Sequence, residues 1–300
     1  MENVKQGFRH WRERTSTSPS GRKLPPYKIW LQSYDDKNVL QGNEFFHIIT
    51  DVINISQRLQ YPLKRWLQVH NFFIPKDKGV FKPARLRTLH NIEAELNLIR
   101  RELIARRLVT NAEYHTMVPM NNSGGRKGRS AIDVVMLKYF TVATMHMQRR
   151  NCAITDCDAR ACYDRILPII LYFTYHKMGL PLNECIWLAR ALVNMKYQMI
   201  TTYGPSENVS ETTLNNPILG VGQGSTDSCA GWLLVSTRLS HMYNKSANGC
   251  TLSSPNAKTT FSLTHAMFVD DAYLFHATQN YAETPHKLQT IVQHDLLHWD

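Results

Sequence analysis

The feature that most constrains the fold is a pair of adjacent aspartates within an apolar stretch. Asp270 and Asp271 stand in the middle of MFVDDAYLF, residues 267–275, whose apolar flanks are typical of two buried strands. Two carboxylates at a tight turn repel each other and favour a nearby cation, and hard cations such as Mg²⁺ take oxygen ligands. The alternative is an ordinary hairpin turn whose aspartates face water.

A second acidic segment lies 112 residues before this pair. In ITDCDARACYDRI, residues 154–166, a short predicted strand ends at Asp158, and Tyr163 and Asp164 follow five and six residues later. Carboxylates from separate strands that converge at one place can hold two metal ions together. Asp158 is therefore a candidate metal ligand, and Asp156 on the same strand is a competing one.

These two segments resemble the reverse transcriptase family. Asp158 and Tyr163 fit its D-x4-[FY]-D signature, whereas the residue five after Asp156 is alanine, and FVDD resembles its aromatic-x-Asp-Asp hairpin. The resemblance implies that Asp158 and Asp270 hold two Mg²⁺ or Mn²⁺ ions, with Asp271 as a supporting catalytic carboxylate. It also implies that Tyr163 lies under the sugar and selects deoxynucleotides; the alternative is an aromatic ring that only packs.

A glycine-rich segment lies between the two acidic ones. GVGQGSTDSCAGW, residues 220–232, resembles the family's Q-G-x4-P loop and helix, which support the incoming base and the template. Gln223 and Gly224 are the implied nucleotide contacts, since glycine lets the backbone approach a ligand closely; a plain glycine turn is the alternative. The segment departs from the family at Cys229, often proline, and at Asp227, where an apolar residue is usual.

Basic residues are concentrated in the first half of the chain. Residues 1–150 hold 26 basic and 12 acidic residues, whereas residues 151–300 hold 9 and 12. A positive field of this size attracts nucleic acid by neutralising phosphates and releasing counterions. The alternative is a basic surface that serves only solubility.

Two basic segments of this half extend the resemblance. NFFIPKDKGVFKPARLRTL, residues 71–89, resembles the fingers hairpin, with Lys76 and Arg87 implied to reach the triphosphate and Arg85 as an alternative. NSGGRKGRSAID, residues 122–133, resembles the G-F-x-x-G-R-S segment of the non-LTR retrotransposon and group II intron lineages. The implied template or primer contacts are Gly124, Arg126, Lys127, Gly128, Arg129 and Ser130. For any one of these cations a solvated surface position is the alternative.

Hydrophobic periodicity predicts the main elements. An amphipathic helix is predicted over residues 91–108, with a basic side that is free for a partner; the alternative is a solvated charged face. Its apolar face carries Ile92, Leu96, Ile99 and Leu103, and its arginines lie mostly elsewhere: Arg100, Arg101, Arg106 and Arg107. Further helices are predicted at 44–55, 131–147, 167–178, 183–196 and 284–299, and strands at 69–74, 152–155, 259–268 and 273–275.

The resemblance implies an α/β right-hand polymerase with fingers and a palm, the palm being a split βαβ sheet with packed helices. We expect a flexible basic arm over residues 1–26, a mostly helical fingers region over 27–150 and a palm region over 151–300 that ends before a thumb.

The implied activity is that of a nucleotidyltransferase. An RNA-directed DNA polymerase of a retroelement would extend a primer 3′-end with dNTPs on an RNA template, so its partners are RNA template, DNA primer or RNA–DNA hybrid. One alternative is an inactive or incomplete remnant that only binds nucleic acid. The other is an RNA-dependent RNA polymerase, which usually has a second aspartate where Tyr163 stands.

No apolar stretch reaches the roughly 18 to 20 residues of a membrane span, since the best one, Ile166–Tyr175, is followed by His176 and Lys177. The N-terminus also lacks the apolar segment and cleavage site of a secretory signal. We therefore expect no membrane partner and an intracellular location, cytoplasmic or nuclear.

Overall fold

The structure is a computed structural model, which describes residues 1–11, 19–22, 24–34, 41–159, 161–213, 217, 220–254, 256, 258–280 and 282–299. Its helices are α1 (Glu2–Arg9), α2 (Pro25–Gln32), α3 (Asn43–Arg58), α4 (Ala94–Arg100), α5 (Val109–Tyr114), α6 (Ala131–Met147), α7 (Cys162–Arg165), α8 (Pro168–Lys177), α9 (Leu182–Val193), α10 (Ser228–Ser246) and α11 (Pro285–Leu297). Its strands are β1 (Gln68–Pro75), β2 (Leu86–Ile92), β3 (Cys152–Asp158), β4 (Lys196–Thr201), β5 (Gly204–Glu211), β6 (Cys250–Ser253), β7 (Thr260–Leu263), β8 (His265–Phe268) and β9 (Asp271–Ala277).

These elements confirm the predicted mixed α/β class, with helices packed against sheets. The predicted helix over 91–108 begins after β2 and continues from α4 through a π-helical segment, Arg101–Leu108, into α5. The strand predicted over 259–268 is two strands, β7 and β8, which are hydrogen-bonded in different sheets. Among the described residues, no helix combines the length and the apolar character that crossing a membrane requires.

The chain forms two compact units, and each contains two separate stretches of sequence. Unit 1 consists of Met1–Asn111 and Tyr163–Gly231, and unit 2 of Ala112–Cys162 and Trp232–Asp300. This division differs from the predicted boundary between residues 150 and 151. The reason is that residues 112–150 pack with the C-terminal stretch, whereas residues 163–231 pack with the N-terminal one.

A four-stranded sheet is the framework of unit 1, in the order β2-β1-β4-β5. β1 pairs antiparallel with β2, where Val69 lies opposite Ile92, and parallel with β4, where Val69 lies opposite Tyr197. The apolar run at Val69–Ile74 therefore forms the predicted strand. Trp66 and Trp187 are fully buried edge to face, with ring centroids 6.1 Å apart.

The N-terminal residues of unit 1 differ from the predicted flexible arm. α1 carries Phe8, which is fully buried and stacks on Tyr27 with ring centroids 4.2 Å apart. Trp11 joins the same apolar cluster. Burying an aromatic ring removes roughly 150–250 Å² from water, which is enough to hold a short helix against the fold. Residues 12–18 and 23 of the predicted arm lie outside the described residues.

A three-stranded antiparallel sheet, in the order β3-β9-β8, is the framework of unit 2. Val134 and Met145 of α6 pack in one apolar cluster with Phe275 of β9. α6 has its predicted bounds because Ser130 and Asp133 form a capping box, in which the Ser130 N–H donates to the Asp133 carboxylate at 2.7 Å.

A buried carboxylate joins α11 to this sheet. Asp295 is fully buried, and it accepts hydrogen bonds from His276 Nδ1 of β9 at 2.8 Å and from the Asn248 backbone N–H at 2.9 Å. Burial alone would raise the pKa of Asp295, but these bonds, with further ones from the Asn248 side chain and His294, outweigh it and lower the pKa to about 2.

Asp295→Asn should destabilise the fold in a pH-dependent way. The pKa of Asp295 is lower in the folded chain than in the unfolded one, so its ionised form stabilises the fold above about pH 4 and the contribution is lost as the pH falls toward 2. We expect a loss of about 2 kcal/mol at pH 7, measured by urea denaturation, and a smaller difference from the wild type below about pH 4.

Gln289→Ala, at an exposed position of the same helix, is the control and should stay within about 0.5 kcal/mol of the wild type. A constant difference between Asp295→Asn and the wild type from pH 7 to pH 2 would contradict the assignment.

Candidate active site

The three predicted carboxylates lie at one end of the unit 2 sheet. β3 pairs with β9 so that Asp158 lies opposite Asp271, and β8 pairs with β9 so that Phe268 also lies opposite Asp271. The turn between β8 and β9 therefore consists of only Val269 and Asp270. The Ala159 N–H, just after β3, donates to the Asp270 carbonyl at 3.0 Å. Strand register therefore brings together Asp158, Asp270 and Asp271, all of them exposed.

The electrostatics of this end of the sheet favour a cation. The pKa of Asp271 is raised by desolvation and then by the negative charges of Asp270, Asp158 and Asp156, while Lys138 acts in the opposite direction. In the described part of the chain none of the three predicted ligands forms a salt bridge. Likewise, no three acidic, histidine or cysteine side chains within it are close enough to form a metal-binding group. Carboxylate oxygens are nevertheless the donors that Mg²⁺ prefers.

Asp156, the competing ligand candidate, has a partner of its own. Its carboxylate binds Lys138 Nζ of α6 at 3.2 Å. The same ammonium lies 3.7 Å from the ring centroid of Tyr273. This local pairing distinguishes Asp156 from Asp158, although the two residues share one strand.

The turn between Phe268 and Asp271 is strained and supported from outside. Val269 has a φ of +57°, a left-handed conformation that is uncommon for a β-branched residue. Trp232 Nε1 of α10 donates to the Val269 carbonyl at 2.5 Å. Gly124 lies so close that a Cβ there would overlap the Val269 backbone nitrogen. Glycine at 124 and tryptophan at 232 thus hold the hairpin in place.

The predicted template segment, residues 124–130, divides into two groups. Arg126 is engaged within unit 2, since its Nε donates to Glu113 at 2.7 Å and its Nη1 to the Pro119 and Asn122 carbonyls. Gly124 is buried at the hairpin and Ser130 caps α6. The second group consists of the exposed residues Lys127, Gly128 and Arg129.

The predicted triphosphate residues lie on the β1–β2 hairpin of unit 1. Lys76 follows β1 directly, and its backbone N–H donates to the Arg85 carbonyl at 2.9 Å. Lys76, Arg85 and Arg87 are exposed, and Arg85 makes a long contact of 3.6 Å with Asp77. Burial raises the pKa of Asp164, and the positive charge of Lys76 partly offsets this.

The loop over residues 222–228 of unit 1, called here the Gln223 loop, packs against β2. The His90 N–H donates to the Gln223 carbonyl at 2.6 Å. A Cβ at Gly222 would lie 2.8 Å from His90 Cδ2, and one at Gly224 would overlap the His90 carbonyl oxygen. Gly224 is therefore required by the close approach of the His90 backbone, and Gly222 by the His90 ring and its own φ of +70°. Burial, and then the charge of Arg100, lower the pKa of His90 to about 4, so its ring is neutral at pH 7.

Tyr163 is joined to this loop. The Val221 N–H donates to the Tyr163 carbonyl at 3.0 Å, and the Tyr163 hydroxyl is 3.2 Å from Cys229 Sγ. Unit 1 thus brings the predicted sugar-contacting residue together with the predicted base-supporting loop. The cysteine that replaces the usual proline of the family is the residue that contacts the ring hydroxyl.

An open cavity of about 1100 Å³ lies beside this loop in unit 1. Gly224 is part of its lining, and Phe72, Ile74, Leu89 and Met199 make most of the remaining wall apolar. Apolar and aromatic walls of this kind suit the flat faces of nucleobases.

A buried ion pair beside the predicted base-supporting loop is a feature that the sequence predictions missed. Arg100 was assigned to a free basic side of the helix over 91–108, and this is wrong, because its side chain is 1% exposed and lies 3.8 Å from Asp227. Its position, four residues after Leu96 and three before Leu103, belongs to the apolar face. That spacing, and an aspartate where the family has an apolar residue, were the available signals.

A comparison with models of protein families gives one match. A family model described as reverse transcriptase (RNA-dependent DNA polymerase) matches residues 74–296. No curated protein matches the chain.

Two solved structures of telomerase are similar in fold. The telomerase of Candida albicans in complex with a TWJ fragment of telomeric RNA has a TM-score of 0.49 at 11% identity over 87% of this chain and 44% of that chain. The apo telomerase of Candida tropicalis, truncated from its C-terminal domain, has a TM-score of 0.49 at 11% identity over 89% and 55%. The chain thus spans about half the length of these structures.

Gly124→Ala should displace the aspartate hairpin. The added methyl group overlaps the Val269 backbone, which cannot rotate away as a flexible side chain would. We expect a loss of at least about 2 kcal/mol in urea denaturation and faster amide exchange over residues 267–271.

Gly128→Ala is the matched control in the same loop, since a Cβ there meets open space and only the φ of +74° opposes it, at about 1 kcal/mol. Equal effects of the two substitutions on amide exchange in the hairpin would show that Gly124 does not support the turn.

Proposed function

The chain belongs to the reverse transcriptase (RNA-dependent DNA polymerase) family, and on that premise we propose that it extends a primer 3′-end with dNTPs on an RNA template. The observation that carries this proposal is the register that sets Asp158 opposite Asp271, next to Asp270, at one exposed end of a sheet. A retroelement is the proposed context, because the segment at residues 122–133 resembles non-LTR retrotransposon and group II intron enzymes.

We propose that the three aspartates hold two divalent ions, Mg²⁺ or Mn²⁺. Asp158 and Asp270 would be the ligands and Asp271 the supporting carboxylate. Their oxygens are hard donors. Desolvation, and then repulsion from the neighbouring carboxylates, raise the pKa of Asp271, and a bound cation would relieve that repulsion. The chemistry supplied by such ions, when bound, would be activation of the primer 3′-hydroxyl and stabilisation of charge on the leaving group. The protein's part is to orient these carboxylates through a supported hairpin.

Unit 1 would bind the incoming nucleotide. The exposed cations Lys76, Arg85 and Arg87 suit a triphosphate, since guanidinium groups bind phosphate oxygens in pairs and the ammonium supplies a compact charge. Gln223 and Gly224 would contact the base from a loop beside the open cavity of unit 1, of which Gly224 is part of the lining. Tyr163 would lie under the sugar and reject a 2′-hydroxyl.

The exposed basic residues Lys127 and Arg129, with Gly128, would contact the phosphates of the template, the primer or an RNA–DNA hybrid. Gly124, Arg126 and Ser130 would contribute indirectly, because they hold the hairpin, the loop and the start of α6.

Asp270→Asn should abolish primer extension and leave hybrid binding intact. The substitution keeps the shape of the side chain but removes charge from the metal ligand, so we expect extension to fall by at least about 10³-fold. The assay is extension of a DNA primer on an RNA template with Mg²⁺ or Mn²⁺, with dNTPs and NTPs supplied in separate reactions.

Asp156→Asn is the matched control, because it removes a charge from the same end of the sheet at a residue paired with Lys138. It should retain extension. Full activity of Asp270→Asn would overturn the proposal; hybrid binding without extension by the wild type would favour a remnant that only binds nucleic acid. Equal use of NTPs and dNTPs would favour an RNA polymerase.

Tyr163→Val should relax selection of the sugar. Removing the ring opens space for a 2′-hydroxyl, so the ratio of kcat/KM for a dNTP to that for the matching NTP should fall by about tenfold or more. Tyr163→Phe keeps the ring and loses the hydroxyl contact with Cys229, so its ratio should stay near that of the wild type. An unchanged ratio in Tyr163→Val would show that the ring only packs.

A further inference from the structure

A buried charge network within unit 1 connects α4 to the Gln223 loop. Nη1 of Arg100 donates to Ser225 Oγ at 2.9 Å and lies 3.8 Å from Asp227 Oδ1. Ser225 Oγ in turn donates to Asp227 Oδ1. The side chains of Arg100 and Asp227 are only 1% and 4% exposed. The serine hydroxyl therefore lies between two buried opposite charges and contacts both.

Further hydrogen bonds fix the same loop from neighbouring residues. Asn97, one turn before Arg100, accepts from the Thr226 hydroxyl through its carbonyl at 2.6 Å and from the Thr226 N–H through Oδ1 at 3.3 Å. The Ser228 hydroxyl donates to the Gly222 carbonyl at 2.6 Å. With the bond from His90 to Gln223, both β2 and α4 hold residues 222–228.

A contribution to stability does not by itself account for this network. Nε and Nη2 of Arg100 are buried and make no hydrogen bond within the described residues. A buried ion pair often contributes no more stability than apolar residues of similar volume, because desolvation offsets the attraction between the charges. Removing only one partner is strongly destabilising, because the remaining charge stays buried without compensation. Its directional contacts with the loop are therefore the more specific contribution.

We propose that Arg100 and Asp227 are positioning residues, which set the backbone of Gln223 and Gly224 at the place where it meets the incoming nucleotide. This rests on the proposed polymerase function for its role in catalysis, and on the loop geometry alone for its structural part.

The test is a double-mutant cycle with Arg100→Met, Asp227→Leu and the double variant. Each single variant should lower the urea midpoint, and the double variant should recover most of that loss because no unpaired charge remains. In the double variant we expect the KM for dNTPs to rise about tenfold with kcat within about twofold. Amide exchange over residues 222–226 should be faster than in the wild type.

Arg106→Met is the matched control, because it removes the same charge from an exposed position of the same continuous helix. Its KM and its exchange in the loop should equal those of the wild type. A double variant with wild-type KM and wild-type loop exchange would overturn the proposal. The wild type could also fail to extend primers while the double variant shows faster amide exchange in the loop. That result would support positioning of the loop and refute the polymerase function.

Ser225→Ala keeps the test decisive if the double variant does not fold. It removes the hydroxyl that links the two charges and leaves both charges in place. Faster exchange over residues 222–226 with a raised KM would support the proposal, and wild-type values of both would overturn it.

Discussion

The pairing of β3 with β9 is the constraint on which the geometry of the proposed catalytic carboxylates depends. Side chains alternate between the two faces of a strand, so a slip of one residue would turn Asp158 to the opposite face from its present one. Asp271 is the shared residue, since it lies opposite both Asp158 and Phe268. A turn of only two residues cannot adjust to a different register. The left-handed conformation of Val269 is stabilised by close packing against Gly124 and by the hydrogen bond from Trp232.

Two aspartates of unit 2 show how environment separates structure from chemistry. Asp295 is buried among hydrogen-bond donors, which lower its pKa and make its charge stabilising. Asp271 is exposed among other carboxylates, which add to desolvation in raising its pKa. The first arrangement is complete without a ligand. In the second, the neighbouring negative charges favour a cation, and this is why we propose the carboxylates at the hairpin, rather than the buried one, as the reaction centre.

Local patterns in the sequence were sufficient for some of the elements and for the segments that carry the carboxylates. The helix at 131–147 follows from its periodicity and its capping residues, and the hairpin from two aspartates between apolar runs. Interactions distant in sequence were not accessible in this way. Phe8 packs on Tyr27, Arg126 binds Glu113, and Arg100 pairs with a residue 127 positions later. Nothing in the local sequence around any of them specifies its partner.

The two halves of the proposed chemistry are positioned by different physical means. Strand register places Asp158 and Asp271, and hydrogen bonds repeated along a sheet make that placement rigid. The Gln223 loop has no such repeat, so its position depends on glycines that allow close approach to His90 and on the buried charges of Arg100 and Asp227. A loop held by a few strong contacts can change position when one contact is lost, whereas a register changes only as a whole. Substrate binding should therefore be easier to alter by single substitutions in unit 1 than metal binding is in unit 2, except at the metal ligands themselves.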